Sequence, residues 1–430
     1  MEAAKKIANF VTEFSYKDID EKVKNEIINR IIDAVANAKY SYKDLKNFLD
    51  PLLENLKGNA ITMSGKKASV DYASFYNSFL IRYLDFNDTY LSKEPLHPSD
   101  MIGGILALAS ELKSSGKDVV EAIATGYEVG ITLCDAGSLR KKGIDHVVFL
   151  GVGTAAAASK LLKLNEEKTA NAISLALVPH IALRETRSGS LSMWKGGAAA
   201  ESVRNAVFAA LLAKSGITGP ELPFSGKMGL INVIFGGKDF DETVLERMDG
   251  SGVLRTLIKE FPAEYHAQAA IEAALDIKLK KEVKKVTIET YEAAKTILAD
   301  DASKWKPQTR ETADHSLPFL VSVALSTQNF WFESYNFIND KKILELASKV
   351  EVNEVEEYTK MYPSSLPVKI TVKYSDDTQE SAYREVPKGH YKKPMNREEI
   401  ITKAKRLGLD TKVIDYINNI ENKEALTVVF

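Results

Sequence analysis

The densest set of chemistry-bearing side chains lies between residues 85 and 100. There Asp85-Phe86-Asn87-Asp88-Thr89 is followed by His97-Pro98-Ser99-Asp100. Carboxylates, an amide, a hydroxyl and an imidazole on one loop between helices suit proton transfer and the holding of polar ligands better than they suit a core. Helix capping is the competing account, since Asp88 or Thr89 can close one helix and Ser99 can open the next. Three further segments repeat the layout. Asp145-His146 precedes an apolar run, Ser190-Leu191-Ser192-Met193-Trp194-Lys195 precedes Gly196-Gly197-Ala198, and Lys259-Glu260-Phe261-Pro262 precedes Tyr265-His266.

At His97, His146 and Lys195 a basic side chain stands at an expected helix N-terminus, where unpaired amides and the helix dipole already favour an anion. Acids are the ordinary residents of that position, so repeated reversals point to a negatively charged ligand. Arg184, Arg187 and Lys259 add enough charge for two or three carboxylates. A second polar cluster, Arg310-Glu311-Thr312-Ala313-Asp314-His315-Ser316, offers another arginine, although Arg310 and Asp314 have the spacing of a surface pair on a helix. His180, beside Pro179, reads as structural, and His390 in Pro387-Lys388-Gly389-His390 reads as part of a surface loop. Ser190 and Ser192 lack the G-x-S-x-G setting of an activated nucleophile, and no glycine-rich stretch fits a dinucleotide or phosphate loop. No two histidines have the spacing of zinc ligands on one helix.

The elements that must position these residues change character along the chain. To about residue 260 apolar residues recur at helical spacing, with helices expected over 23–38, 101–112, 119–136, 148–164, 166–177 and 196–212, and over 244–248 continuing into 253–259. After Pro262, alternation predicts strands over 283–291, 368–374 and 380–386, the last two joined by a turn at 375–378. Helical segments are expected near 313–325 and 341–350, and a final helix opens at Asn396 with Glu399 as its capping box. The expected fold is therefore mainly α with an α+β second domain. A helical domain covers 1–264, joined by the C-terminal segment 408–430, and an α+β domain covers 265–407.

At 430 residues the chain exceeds the size of a single hydrophobic core. Its 57 basic and 59 acidic residues leave a net charge of −2, which draws neither nucleic acid nor a membrane surface. The N-terminus has helical periodicity rather than a secretory signal, and no apolar stretch is long enough for a bilayer, so a cytoplasmic enzyme is expected. Cys134 is the only cysteine, so the chain has no set of thiolates for a structural zinc or an iron–sulfur cluster.

Taken together, the chain resembles the MmgE/PrpD family over essentially its whole length. The resemblance rests on DFNDT with HPSD at 85–100, RETRSGSLSMWKGGAAA at 184–200, TGPELPFSGKMGL at 218–230, KEFP with Gln268-Ala269-Ala270 at 259–270, and KPQTRETADHSLPF at 306–319. The SMWKG and ETADHSLPF forms are closest to the 2-methylcitrate dehydratase branch. The resemblance implies a large all-helical domain with a smaller α+β lid, a homodimer, small di- and tricarboxylate substrates, and a metal-free active site without cofactor in a cleft between the domains. By matching motif positions it implies active-site roles for Asp85, Thr89, His97, His146, Lys195 and Lys259. Phe319 departs from the tyrosine that relatives often carry there.

The expected reaction is elimination of water from 2-methylcitrate. It needs a base for a proton next to a carboxylate and an acid for the departing hydroxyl. Asp85, His97 and His146 are the candidates for this work, with either histidine as the acid/base partner. Thr89, Lys195, Lys259, Arg187 and Arg310 are the candidates for holding substrate carboxylates. Hydration or decarboxylation of cis-aconitate, and non-catalytic tricarboxylate binding, are the alternatives.

Overall fold

The computed structural model describes residues 2–53, 56–188 and 192–426. The chain forms two compact units, one of Met1–Thr256 with Asn396–Phe430, the other of Leu257–Met395. The first unit begins with α1 (Ala3–Glu13), the long α2 (Glu21–Leu49), a short hairpin of β1 (Ala60–Ile61) and β2 (Lys67–Ala68), and α3 (Val70–Arg82). It continues with α4 (Ile102–Leu112), α5 (Gly116–Ala136), α6 (Val147–Leu161), α7 (Glu166–Leu177), α8 (Trp194–Ser215) and the single turn α9 (Leu230–Val233). Helix α8 packs on α3, α6 and α7, and α5 lies along α6.

Small residues make the α5/α6 contact close. A Cβ on Gly153 would come within 2.7 Å of the Gly126 carbonyl oxygen, so the two backbones touch where any side chain would part them. That contact sets the place of α6, and with it His146 at its start.

Residues 244–259, expected to be helical, form only the 3-10 turns Glu242–Arg247 and Gly252–Arg255. The interruption falls at Gly250, whose φ is +84°. Such a left-handed glycine ends a helix rather than continuing it.

The second unit carries α10 (Gln268–Leu275), β3 (Val283–Thr290), α11 (Glu292–Leu298), α12 (Arg310–Asp314), α13 (Leu317–Thr327) and α14 (Lys341–Ser348). It closes with β4 (Val350–Glu354), α15 (Glu356–Met361), β5 (Val368–Tyr374) and β6 (Gln379–Arg384). The strands run β4-β3-β5-β6 in one sheet, with β3 parallel to β4 and antiparallel to β5. Val286, Ile288, Val352, Ile370 and Val372 face one core with Phe319 and the helices α10 and α13. Phe319 is fully buried there and serves as packing.

His390 is not on an open loop, as its sequence setting suggested. It is fully buried, its ring 4.2 Å from that of Tyr391, and the Lys392 amide donates to its Nδ1. Burial pushes its pKa down to about 4.

The chain then returns to the first unit through α16 (Arg397–Arg406) and α17 (Thr411–Asn418). The borders thus fall at 256/257 and 395/396, earlier than the expected 264/265 and 407/408. Helix α16 belongs to the first unit because it packs on α2, where Arg397 donates to the Asn25 carbonyl oxygen and Lys403 pairs with Asp33. The protein is mainly helical, with a small mixed sheet confined to the second unit. Among the described residues no helix is long and apolar enough to cross a membrane.

Candidate active site

The loop after α3 turns sharply at Asp85, whose φ of 54° lies in the left-handed region. Aspartate tolerates that region better than most residues when its side chain is held locally. Here Arg82, one turn back, donates from Nη1 to Asp85 Oδ1 at 2.7 Å. The following loop is pinned by its own polar groups. Asn87 donates to Ser99 Oγ at 2.7 Å and to Asp100 Oδ1 at 2.8 Å. Asp88 accepts from the Ser99 amide at 2.9 Å and from the Tyr127 hydroxyl at 2.8 Å, and Arg30 Nε stands 3.6 Å from its Oδ2.

The acids of this segment therefore divide. Asp88 and Asp100 are fully buried scaffolding, while Asp85 remains partly open. Burial pushes the Asp88 carboxyl up, against the pull of Arg30. It pushes Asp100 to about 7, although Arg82 lies 3.5 Å away and opposes the shift.

His97 and His146 each stand at the N-cap of a helical segment, and neither side chain makes a capping bond. His97 Nδ1 lies 2.8 Å from the Asp88 carbonyl oxygen and 3.3 Å from Thr89 Oγ1. A carbonyl can only accept, so Nδ1 carries the hydrogen and neutral His97 has its lone pair on Nε2, 3.8 Å from Asp85 Oδ1. The His146 ring lies 5.6 Å from that of His97. Its Nδ1 is 3.1 Å from Asp145 Oδ1 and its Nε2 is 3.5 Å from Arg187 Nη2. Burial first, then Arg187, pushes the His146 pKa down to about 3 despite Asp145. His146 is thus a neutral ring whose hydrogen points to Asp145 and whose lone pair points to a guanidinium. Burial pushes the Asp145 carboxyl up, but its cationic surroundings outweigh that and hold it low, with Arg187 Nε 3.0 Å from Oδ2. Because His146 is neutral, we assign that lowering chiefly to Arg187.

Lys195, in the first turn of α8, completes the cluster with Nζ 3.0 Å from Asp85 Oδ2. One carboxylate is therefore held by a buried guanidinium and a partly exposed ammonium, with an imidazole edge 3.8 Å away that gains an attractive partner there once it takes up a proton. A carboxylate in that place stabilises an imidazolium beside it.

Asp85, Thr89, His97, His146, Arg187 and Lys195 thus come together in the helical unit. Lys259 and Arg310 belong to the second unit. Lys259 is buried there, whereas Arg310 is exposed, lying 5.3 Å from the Phe332 ring and 5.4 Å from that of Tyr335. Ser190 lies outside the described residues. Arg82 is the member of the cluster that sequence reasoning passed over; its signal was the one charge in the run from Tyr72 to Leu84, three residues before Asp85. Among the described residues no group of three or more His, Cys, Asp or Glu side chains could hold a metal ion.

The family models for the MmgE/PrpD N-terminal domain and C-terminal domain match residues 5–243 and 261–413. The chain belongs to the MmgE/PrpD family. Within it, the chain is 31% identical over 394 residues to the probable 2-methylcitrate dehydratase of Saccharomyces cerevisiae, covering 82% of this chain and 75% of that protein. It is 31% identical over 384 residues to the 2-methylcitrate dehydratase of Escherichia coli, covering 81% and 78%. The mitochondrial 2-methylcitrate dehydratase of Yarrowia lipolytica is 32% identical over 352 residues, covering 75% of this chain and 66% of that one. The two family domains end and begin near the border between the two units, between Thr256 and Leu257.

Proposed function

We propose that this MmgE/PrpD protein is a hydro-lyase that removes water from 2-methylcitrate to give cis-2-methylaconitate, the dehydration step of propionate breakdown through the methylcitrate cycle. The observation that carries the reading is the arrangement of His97 Nε2 beside an Asp85 carboxylate that Arg82 and Lys195 hold. The names of its relatives support the substrate.

In this mechanism His97 Nε2 takes the proton from the carbon next to a carboxylate. Asp85 stabilises the imidazolium that forms, and that imidazolium is the acid at hand for the departing hydroxyl. The C–H and C–O bonds break, a carbon–carbon double bond forms, and water leaves. Lys195 and Arg187 neutralise the carboxylate whose charge grows as the proton leaves, with Thr89 holding His97 and the substrate in register. His146 takes the role of a neutral hydrogen-bond acceptor, because a ring with a pKa of about 3 has no second proton to give at neutral pH. Lys259 and Arg310 are assigned to further substrate carboxylates by their place in family motifs. The reaction asks for no metal or cofactor. The protein works as a cytoplasmic homodimer; for the dimer the support is the apolar side chains left open on α8, with Trp194 47% and Phe208 51% exposed.

The test follows absorbance of the conjugated product while purified protein meets 2-methylcitrate, citrate and isocitrate in turn, with a chelator present. Turnover of 2-methylcitrate alone is expected. Equal turnover of citrate or isocitrate would widen the reaction to a general tricarboxylate dehydratase. No turnover of any of the three would overturn the reading in favour of cis-aconitate decarboxylation or binding alone.

A further inference from the structure

Helix α2 carries Asp33 on its buried face, and α16, the first helix after the chain leaves the second unit, carries Lys403 against it. Both side chains are almost wholly enclosed, 1% and 3% exposed, and Lys403 Nζ lies 2.6 Å from Asp33 Oδ1. A buried ion pair adds little to stability when compared with apolar residues of the same size, so its presence calls for another reason. The reason is visible in what else the ammonium touches. Lys403 Nζ donates to the carbonyl oxygen of Phe86 at 2.9 Å and sits 3.7 Å from the centre of the Phe86 ring. Asn37, one turn after Asp33, points its amide at the same carbonyl from 3.5 Å and donates to the Asp33 carbonyl at 2.8 Å.

Phe86 follows Asp85 directly, and Asp85 occupies the left-handed region, which a non-glycine residue keeps only when its surroundings enforce it. Arg82 holds the Asp85 side chain, and Lys403 holds the next residue by carbonyl and ring. We propose that the Asp33–Lys403 pair is a positioning device for the reaction: it fixes the backbone at Phe86 so that the Asp85 carboxylate faces His97 and Lys195. The proposal rests on the reading of Asp85 and His97 as the reacting pair. The part assigned to Lys403 is positioning, exerted through the carbonyl and ring of Phe86.

Removing one member alone strands a buried charge, and such a variant can fail to fold for that reason. The test therefore uses the double variant Asp33→Leu/Lys403→Met, which removes both charges, keeps apolar bulk and leaves the Phe86 carbonyl only the long Asn37 contact. The expected result is a folded protein whose kcat falls by about tenfold to a hundredfold, the order expected of a small misplacement, with KM within about threefold. In the same samples the ring signals of His97 in NMR at fixed pH shift, while those of His180 and His390 stay in place as internal references. An unmoved His97 ring overturns the proposal whatever the rate. If the wild-type protein turns over no tricarboxylate, the functional reading fails, and the NMR comparison still decides the positioning role.

Discussion

His97 donates its Nδ1 hydrogen to the carbonyl oxygen of Asp88 at 2.8 Å, and this one bond dictates which nitrogen can do chemistry. With Nδ1 committed to the backbone, Nε2 is left as the lone-pair face beside Asp85. Replacing His97 by alanine is expected to lower kcat/KM by about 10²- to 10⁴-fold, the range of a positioned acid/base group. Circular dichroism checks that the fold persists, and initial rates with 2-methylcitrate measure the loss. A wild-type rate in the folded variant would remove His97 from the mechanism.

Lys195 is half-open and shares Asp85 with Arg82, so it can lose its charge without leaving a buried orphan. Lys195→Met is expected to lower kcat/KM by about a hundredfold, about 2.7 kcal/mol of transition-state stabilisation. Lys195→Arg is expected to recover part of it. Steady-state kinetics on the three proteins decides, and equal losses in both variants would show that charge is not what Lys195 contributes.

His146 ties acid stability to the site. Its folded pKa of about 3 lies below the ordinary 6.5, so the unfolded chain takes up a proton that the folded one refuses. Its contribution is fully present above pH 6.5 and is lost as pH falls toward 3, by about 1.4 kcal/mol per pH unit. Urea titrations of the wild type and His146→Gln at pH 7, 6, 5 and 4 are expected to show the gap between them change with that slope. A gap constant across those pH values would show that His146 takes up its proton in the fold as readily as in the unfolded chain.

Glu94 has the opposite sign. Burial pushes its carboxyl up to about 7 from 4.5, although the Arg140 amide and the Ser138 hydroxyl both donate to it. An acid raised in the fold costs stability as pH climbs from 4.5 to 7, by at most about 3.4 kcal/mol. Glu94→Gln is therefore expected to gain stability relative to the wild type over that window and to hold the gain at pH 8. Denaturant midpoints at pH 5 and pH 8 provide the comparison.

Arg82 is buried between Asp85 and Asp100, and nearby carboxylates keep it charged against the cost of burial. Arg82→Met leaves Asp100 in the core without its cation and is expected to destabilise the protein by about 3–5 kcal/mol. The same change releases Asp85 on one side, so activity should fall in molecules that remain folded. Chemical denaturation and the specific activity of the folded fraction measure the two effects separately.

The loop at 85–100 was legible because acids and a histidine interrupt an apolar helical pattern, which packing alone does not explain. What could not be read was the division of labour within it: Asp88 and Asp100 differ from Asp85 only through burial, and burial depends on Tyr127 and Arg30, far away in sequence. The strands β3, β5 and β6 announced themselves by alternation. Strand β4 did not, because its five residues follow α14 without a break in the apolar pattern, and only pairing with β3 makes them a strand. The same limit hid α16's place in the first unit. Its capping box at Asn396 and Glu399 marks where the helix starts, but its partner is Asp33, more than three hundred residues earlier.

Because α16 completes the first unit, the order in which the ribosome makes the chain differs from the order in which its parts can be finished. The second unit, Leu257–Met395, is contiguous and has all its residues before α16 is made. The helical unit, begun first, must wait with Asp33 uncovered until the chain returns. Domains generally fold as units during synthesis, N-terminal first. Here a chain cut at residue 395 would contain every candidate site residue and still lack the cation that α2 was built around. Nascent chains released at that length are expected to be the aggregation-prone ones.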